Sequence, residues 1–483
     1  METLKEKTAK SLFWAVLNNG TIQVLNIVFG IVLARLLTPG DYGIVGVLTI
    51  FTLIAGNLQS SGFSQALINL SHPKDEDYNS VFWFNVLVSV ALYVVLWFCA
   101  PLIASFFHQP VLVDVSRLVF LSFVIASVGI AQGAYMLKNM MNRELAIINT
   151  IALLFSGTIG IVLAFKGFAY WSLAWQQIIY ITVLNIGRYY YVPWRPSLKI
   201  DFAPVKRMFG FSVKILFTNI INTLNGQVLT FIFGRFFNMA QVGNYSQANK
   251  WNTQAHTLVS GTLLQVVQTV LVSVTDDVER QKRVFRKLMR FTSFFSFPVM
   301  LGLALVAREF ILVALGTKWV DCVPLLRILC VAGAFMPFYA VYQHLAIGRG
   351  RSDYYLWCNL GQIVLQISSI LLCFYCFSQS IITVVAVYSI ILVAWLVVWQ
   401  LVASHLIGLT WKETLMDTLP FLLITALVIA TAYFLTTWIT NNWLSLIAKV
   451  VISVVLYVLL MKVLHVKIFD ECLEFAKQKF SRH

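Results

Sequence analysis

The chain has 483 residues, of which 59% are hydrophobic and only 11% charged, and its mean hydropathy is +0.81. A soluble protein of this length carries about a quarter charged residues, so a water-soluble enzyme or binding domain is excluded and the chain reads as an all-α polytopic membrane protein. A net charge of +15 would raise nucleic acid as a partner, but the basic residues sit in short connectors between apolar runs, as orientation in a bilayer requires, and no basic patch interleaved with aromatics appears.

At ~20 residues per span, about fourteen transmembrane helices fit, near 11–37, 42–69, 80–104, 112–137, 146–166, 168–191, 210–237, 241–274, 285–308, 323–348, 354–377, 380–403, 415–438 and 442–464. Lys5, Lys7 and Lys10 precede an apolar run that continues to Leu37, too long for the core of a signal peptide, so no cleavable leader is expected. An even number of spans puts both termini on one side. Most of the 35 lysines and arginines, the Arg280–Arg290 run included, fall in connectors on that side, which makes both termini cytoplasmic. The longest connector, around 192–209, contains Pro193, Pro196 and Pro204. The expected organisation is a six-helix lobe over 1–195, a cytoplasmic linker at 196–209, a second six-helix lobe over 210–405, and two further helices with a cytoplasmic tail over 406–483. No connector has room for a soluble catalytic domain, and no GxxxxGK[ST] phosphate loop occurs.

The chain repeats itself weakly. Arg35 closes the first span, Leu36 and Leu37 follow, and Gly43 comes eight residues after the arginine; Arg235, Phe236, Phe237 and Gly243 reproduce the pattern at the seventh span. Asn19 and Asn219 share the same offset. Both copies start from the cytoplasm, so the repeats are parallel and imply two lobes related by an axis along the membrane normal, with a cavity between them.

Polar side chains mark that cavity. In the eighth span Gln247, Lys250, Gln254, Thr257, Gly261, Gln265 and Gln268 recur every three or four residues and so share one helix face. Unpartnered polar groups are costly in hydrocarbon. The stripe therefore either lines a hydrated cationic cavity or hydrogen-bonds neighbouring helices as packing glue. Lys214, Thr218, Asn222 and Asn225 form a second stripe in the seventh span, Asn19, Gln23 and Asn26 a third in the first, and Asn359, Gln362, Gln366 and Ser369 a fourth in the eleventh. Amides both donate and accept, which suits sugar hydroxyls. Arg117, Arg327 and Lys449 lie about two turns inside the outer boundary, where either snorkelling or a role in the cavity is open. All 20 acidic residues fall at expected span ends or in connectors, Glu309 among them, so no mid-span carboxylate for coupling a cation is visible. Cations without buried carboxylates favour an anionic substrate such as a phosphate. The seven cysteines, including the Cys373–Cys376 pair, read as small core residues, and neither His256 nor His344 has a second ligand at metal spacing. No metal and no cofactor are expected.

The segment Ser11–Ala15, Leu33–Gly43 and Gly62–Ile68, with Phe233–Phe237 and Gly243–Ala248, resembles the Wzx-type polysaccharide flippases, above all the colanic and teichuronic acid exporter branch of the multidrug/oligosaccharidyl-lipid/polysaccharide flippase superfamily. The resemblance implies a non-enzymatic transporter of the bacterial inner membrane. It would move undecaprenyl-diphosphate-linked oligosaccharide (O-antigen, capsule or exopolysaccharide units) between leaflets by alternating access, surrounded by membrane lipids and working beside a polysaccharide polymerase and export machinery. Many relatives carry an acid where this chain has Leu229, so no coupling role transfers to that position. The competing expectations are a cation-coupled multidrug exporter of the same superfamily, which needs a buried carboxylate, and a membrane glycosyltransferase or polymerase, which needs longer outer loops. A non-transporting scaffold is the bland alternative.

Overall fold

The computed structural model describes residues 4–60, 63–272, 277–376, 380–471 and 474. These hold the helices α1 (Leu4–Leu36), α2 (Pro39–Ser60), α3 (Phe63–Asn69), α4 (Asp75–Phe106), α5 (Leu112–Ser127), α6 (Ile130–Lys138), α7 (Asn142–Phe165), α8 (Tyr170–Tyr191), α9 (Ala203–Phe236), α10 (Met239–Val272), α11 (Val278–Ala314), α12 (Cys322–Gly333), α13 (Met336–Gly348), α14 (Ser352–Cys376), α15 (Ile381–Ala394), α16 (Leu396–Ile407), α17 (Trp411–Thr436) and α18 (Asn442–Val463), and no strand among the described residues. Helix stands at each expected span. Among the described residues, ten helical stretches are long and apolar enough to cross a membrane, eleven when α5 and α6, bent by 47°, count as one. α8, of 22 residues, falls outside that set, while α9 and α10 run for 34 residues each and are described only in part.

The chain forms two compact units, Met1–Ser246 and Gln247–His483. In the first, α1 packs on α7, α7 on α8, α4 on α5, and α5 on α8. The seventh expected span, α9, packs on α2, α3 and α4 and so falls in this unit. One core cluster gathers Phe63, Leu67, Tyr78, Phe82, Met136 and Ile148 with Val192 and Trp194, so the start of the Pro-containing connector is part of the core. Burying these large apolar side chains is worth about 1.5–3 kcal/mol each.

The repeat is visible in atoms. Between α1 and α2, Thr38 caps the new helix: its Oγ1 accepts from the Asp41 amide at 3.3 Å, and Asp41 Oδ2 accepts from the Thr38 amide at 2.8 Å. Between α9 and α10, Asn238 and Gln241 make the same reciprocal pair at 2.9 and 3.3 Å. Both are capping boxes, which satisfy amides that the first turn leaves free. A Cβ on Gly43 would overlap the Met239 carbonyl, and one on Gly243 would overlap the Pro39 carbonyl. Each repeat's glycine thus meets the other repeat's helix start, the reciprocity a local two-fold produces.

The bend between α5 and α6 interrupts the backbone ladder inside an apolar unit, and α8 supplies donors to carbonyls there, the Gly129 oxygen also accepting from the Gly133 amide at 3.0 Å. Asn185 Nδ2 donates to Ile125 O at 2.5 Å and Arg188 Nη1 to Gly129 O at 3.1 Å. Gly129 and Gly133 make room for them, since a Cβ on Gly129 would overlap the Asn185 side chain and one on Gly133 would sit 3.4 Å from the guanidinium carbon.

In the second unit α11 is central, packing against α12, α17 and α18, while α15 joins α12 to α14 and α16 lies on α13. The α17–α18 hairpin is fastened to α11 by Arg286 Nε to Asp417 Oδ2 at 2.7 Å, Tyr457 Oη to Phe294 O at 2.8 Å, and Lys449 Nζ to Glu309 Oε1 at 2.6 Å.

Candidate functional site

The polar stripe of α10 is clearest in the second unit. Gln247 is 1% exposed and neither atom of its amide has a hydrogen-bond partner. One turn on, Lys250 is half-buried, and among the described residues no carboxylate or acceptor pairs with it. Gln254, another turn along, is half-buried with its Oε1 shielded and unpartnered. Helical periodicity puts these three on one arc. Packing uses neighbouring positions instead. Trp251 meets Phe310 of α11 edge-on at 5.0 Å, and the Asn252 side chain lies against Gly333 of α12. A lysine and two amides with unused donors and acceptors can hold a phosphate as a point charge and flanking hydroxyls by hydrogen bonds. Thr257 is exposed and donates to Thr253 O at 2.8 Å. The side chains of Gln265 and Gln268, like those of Lys214, Thr218, Asn222 and Asn225, lie outside what the structure describes, as do the surroundings of Gly261.

The other expected residues fall in several places. Asn19 is exposed and Gln23 half-buried on α1. The recorded polar link of that helix runs through its neighbour Asn18, whose Oδ1 accepts from Asn149 Nδ2 at 3.3 Å. On α9, Thr223, which no expected stripe includes, accepts through Oγ1 from Asn57 Nδ2 of α2 at 2.7 Å. Arg117 is half-buried on α5 with its guanidinium 4.4 Å from the Trp97 ring centre, a cation–π contact. On α14, Asn359 is 6% and Gln362 4% exposed. Asn359 Oδ1 accepts from Gln343 Nε2 of α13 at 3.3 Å while its Nδ2 has no partner. Gln366, on the same stripe, is fully buried with both amide atoms unpartnered.

One expectation is corrected. Glu309 does not end a span. It lies inside α11, buried against Lys449 with 2.6 Å between Nζ and Oε1, and the Tyr433 ring is 5.8 Å from the ammonium. The sequence hid this pair because its halves are 140 residues apart. Sequence reasoning also passed over Arg188 at the bend and the fully buried, unpartnered Asn85, Ser89 and Gln132 of the first unit. The pair of glycines at 129 and 133 was the available signal for the first. Leu229, the position where an acid was looked for, is 2% exposed and belongs to the core.

A cavity of about 190 Å³ in the second unit is walled by Met289, Phe297, Phe338, Leu396 and Trp411, with Tyr342, Gln400 and Thr414 at its polar edge. Its polar groups satisfy one another: Gln400 Oε1 accepts from Tyr342 Oη at 2.8 Å and from Thr414 Oγ1 at 2.9 Å. None of the expected site residues lines it.

The sequence pattern of the polysaccharide biosynthesis protein family matches residues 32–324, more than half the chain, spanning both glycine motifs and Lys250. The chain belongs to this family. It is 27% identical over 371 residues to an uncharacterized membrane protein in the cps region of Klebsiella pneumoniae, covering 76% of each chain. It is 24% identical over 376 residues to the lipopolysaccharide biosynthesis protein WzxC of Escherichia coli K12, covering 77% of this chain and 76% of the relative. With the teichuronic acid biosynthesis protein TuaB of Bacillus subtilis it shares 23% over 429 residues, 88% of each. Among solved structures, the lipid II flippase MurJ in an inward closed conformation superposes with a TM-score of 0.71 at 14% identity, over 94% of this chain and 99% of that one. An inward-facing multidrug resistance MATE transporter gives 0.64 at 14%, over 81% and 98%. These likenesses establish the transporter fold of a family member that spans the membrane many times.

Proposed function

We propose that this family member is a flippase that carries undecaprenyl-diphosphate-linked oligosaccharide from the cytoplasmic to the periplasmic leaflet of the bacterial inner membrane by alternating access, with both termini cytoplasmic. The observation that carries the reading is Lys250, half-buried beside the unpartnered amides of Gln247 and Gln254 and lacking a counter-charge among the described residues. Buried charge is tolerated when a partner arrives with the ligand, and a diphosphate bearing sugars brings both the anion and the hydroxyls. Family membership, the polysaccharide pathways named for WzxC and TuaB, and a fold shared with a lipid II flippase support the same direction. A polymerase and export machinery would act on the delivered units. The rival cation-coupled exporter requires a carboxylate free to take a cation, and the buried Glu309 is already engaged by Lys449.

Replacing Lys250 by Ala removes a charge-assisted contact of about 1.5–3 kcal/mol, so export should fall roughly tenfold or more. Lipid-linked oligosaccharide should accumulate, with unchanged protein in the membrane, and Lys250→Arg should restore part of the activity. Wild-type surface polysaccharide in the Lys250→Ala strain would refute the assignment.

A further inference from the structure

The stretch between α8 and α9 has a second chemistry that the cargo reading does not use. Its backbone is pinned along the start of α4: Asn79 Nδ2 donates to Lys199 O at 2.5 Å, Trp83 Nε1 to Ser197 O at 2.7 Å, and Ser80 Oγ to Asp201 O. Held in this way, the strip turns apolar side chains outward. Leu198 is 85% exposed, Ile200 52% and Phe202 41%, and Phe209, near the start of α9, is 51% exposed. Immediately beside it is a cleft of about 490 Å³ lined by Phe84, Phe202, Val205, Lys206, Phe209 and Gly210, within the ~300–1,000 Å³ of ligand sites. Its walls are apolar and aromatic, Lys206 is the only charge on them, and a Cβ at Gly210 would meet open space.

Charges of both signs lie along the strip and at the start of α4, but only Lys206 is on the cleft wall. Asp77 is occupied, accepting from the Lys74 amide at 2.9 Å and pairing with Arg207 at 3.6 Å, and Asp201 Oδ1 accepts from the Ala203 amide at 2.8 Å. Asp75 and Glu76 stand exposed at the start of α4. Lys199 and Lys206 are exposed and make no ion pair among the described residues. Exposed aromatics, an apolar cleft and two free ammonium groups at one end of a membrane unit match an amphiphile with a negative head.

We propose that this cleft binds an anionic phospholipid of the bilayer, one acyl chain lying along Phe84, Phe209 and Gly210 and the phosphate at Lys206 and Lys199. The bound lipid stays with the protein and is distinct from the cargo, so the proposal stands or falls apart from the flippase reading. It also explains why a short connector with three outward apolar side chains is fixed by three side chains of α4: the strip is the floor of an interfacial lipid site.

The test uses the purified full-length protein, delipidated in detergent and titrated with phosphatidylglycerol or with phosphatidylcholine of the same acyl chains, bound lipid being counted by native mass spectrometry. Phosphatidylglycerol should be retained preferentially. Lys206→Gln should lower its retention about fivefold, the effect of one cation near an anionic lipid, and should leave phosphatidylcholine unchanged. Gly210→Leu, which fills the cleft from a position with free space, should lower retention of both. Glycerol 3-phosphate alone should not raise the melting temperature. Equal retention of the two lipids, wild-type retention by both variants, or stabilisation by glycerol 3-phosphate equal to that by phosphatidylglycerol would each overturn the proposal.

Discussion

The buried Glu309–Lys449 pair allows a sharp test of how the α17–α18 hairpin is held. The two side chains are 11% and 7% exposed, and 2.6 Å separates nitrogen from oxygen. At an effective dielectric of ~20 the attraction is about 6 kcal/mol, set against a desolvation penalty of several kcal/mol for each ion. The pair therefore adds little net stability, yet removing one half leaves the other buried and unpaired at about 3–5 kcal/mol. Lys449→Met and Glu309→Gln should each lower the melting temperature by several degrees, while the double variant should recover most of the loss. The double-mutant cycle should give a coupling at least as large as either single loss, about 3–5 kcal/mol or more. Buried Cys322, Cys330, Cys358 and Cys373 make a thiol-reactive dye a suitable reporter of unfolding. Single variants that melt with the wild type, or losses that add in the double variant, would refute the reasoning and mean that the hairpin is held by its apolar face alone.

Other outcomes follow from the same geometry. Gly43→Ala and Gly243→Ala each drive a methyl group into a carbonyl of the facing repeat and should destabilise the protein by about 1–3 kcal/mol, measured as melting temperature and yield of monodisperse protein. Gly302→Ala, where a Cβ meets open space on α11, should be neutral or gain up to ~1 kcal/mol from helix propensity. Arg188→Ala and Asn185→Ala strip the donors from the carbonyls at the α5–α6 bend and should cost about 1–3 kcal/mol each, with faster amide exchange confined to that bend. Asp417→Asn should loosen α17, because Asp417 holds both Arg286 at 2.7 Å and Arg290 at 3.4 Å, and hydrogen exchange along the first turns of α17 would report it.

Much of this architecture is written in local sequence. Apolar runs of bilayer length specify the helices, since backbone groups in lipid must bond within their own segment. The echo of Arg35…Gly43 in Arg235…Gly243 announces a repeat because the same break, cap and close approach need the same residue types in each copy. The stripe through Gln247, Lys250 and Gln254 is legible because a period of 3.6 projects onto one helix face. Periodicity cannot say what a face meets. On α5, Arg117 stacks on Trp97, a contact that no spacing in the sequence announces.

What the tertiary structure alone decided is the company each polar group keeps. Glu309 looked like the end of a span until the docking of α18 buried it against Lys449, and Arg188 looked like a connector charge until a bend in another helix turned carbonyls toward it. Hydropathy is a property of single segments, while the worth of a buried charge depends on which group 59 or 140 residues away stands at 3.1 or 2.6 Å. That pairing exists only after the helices have packed.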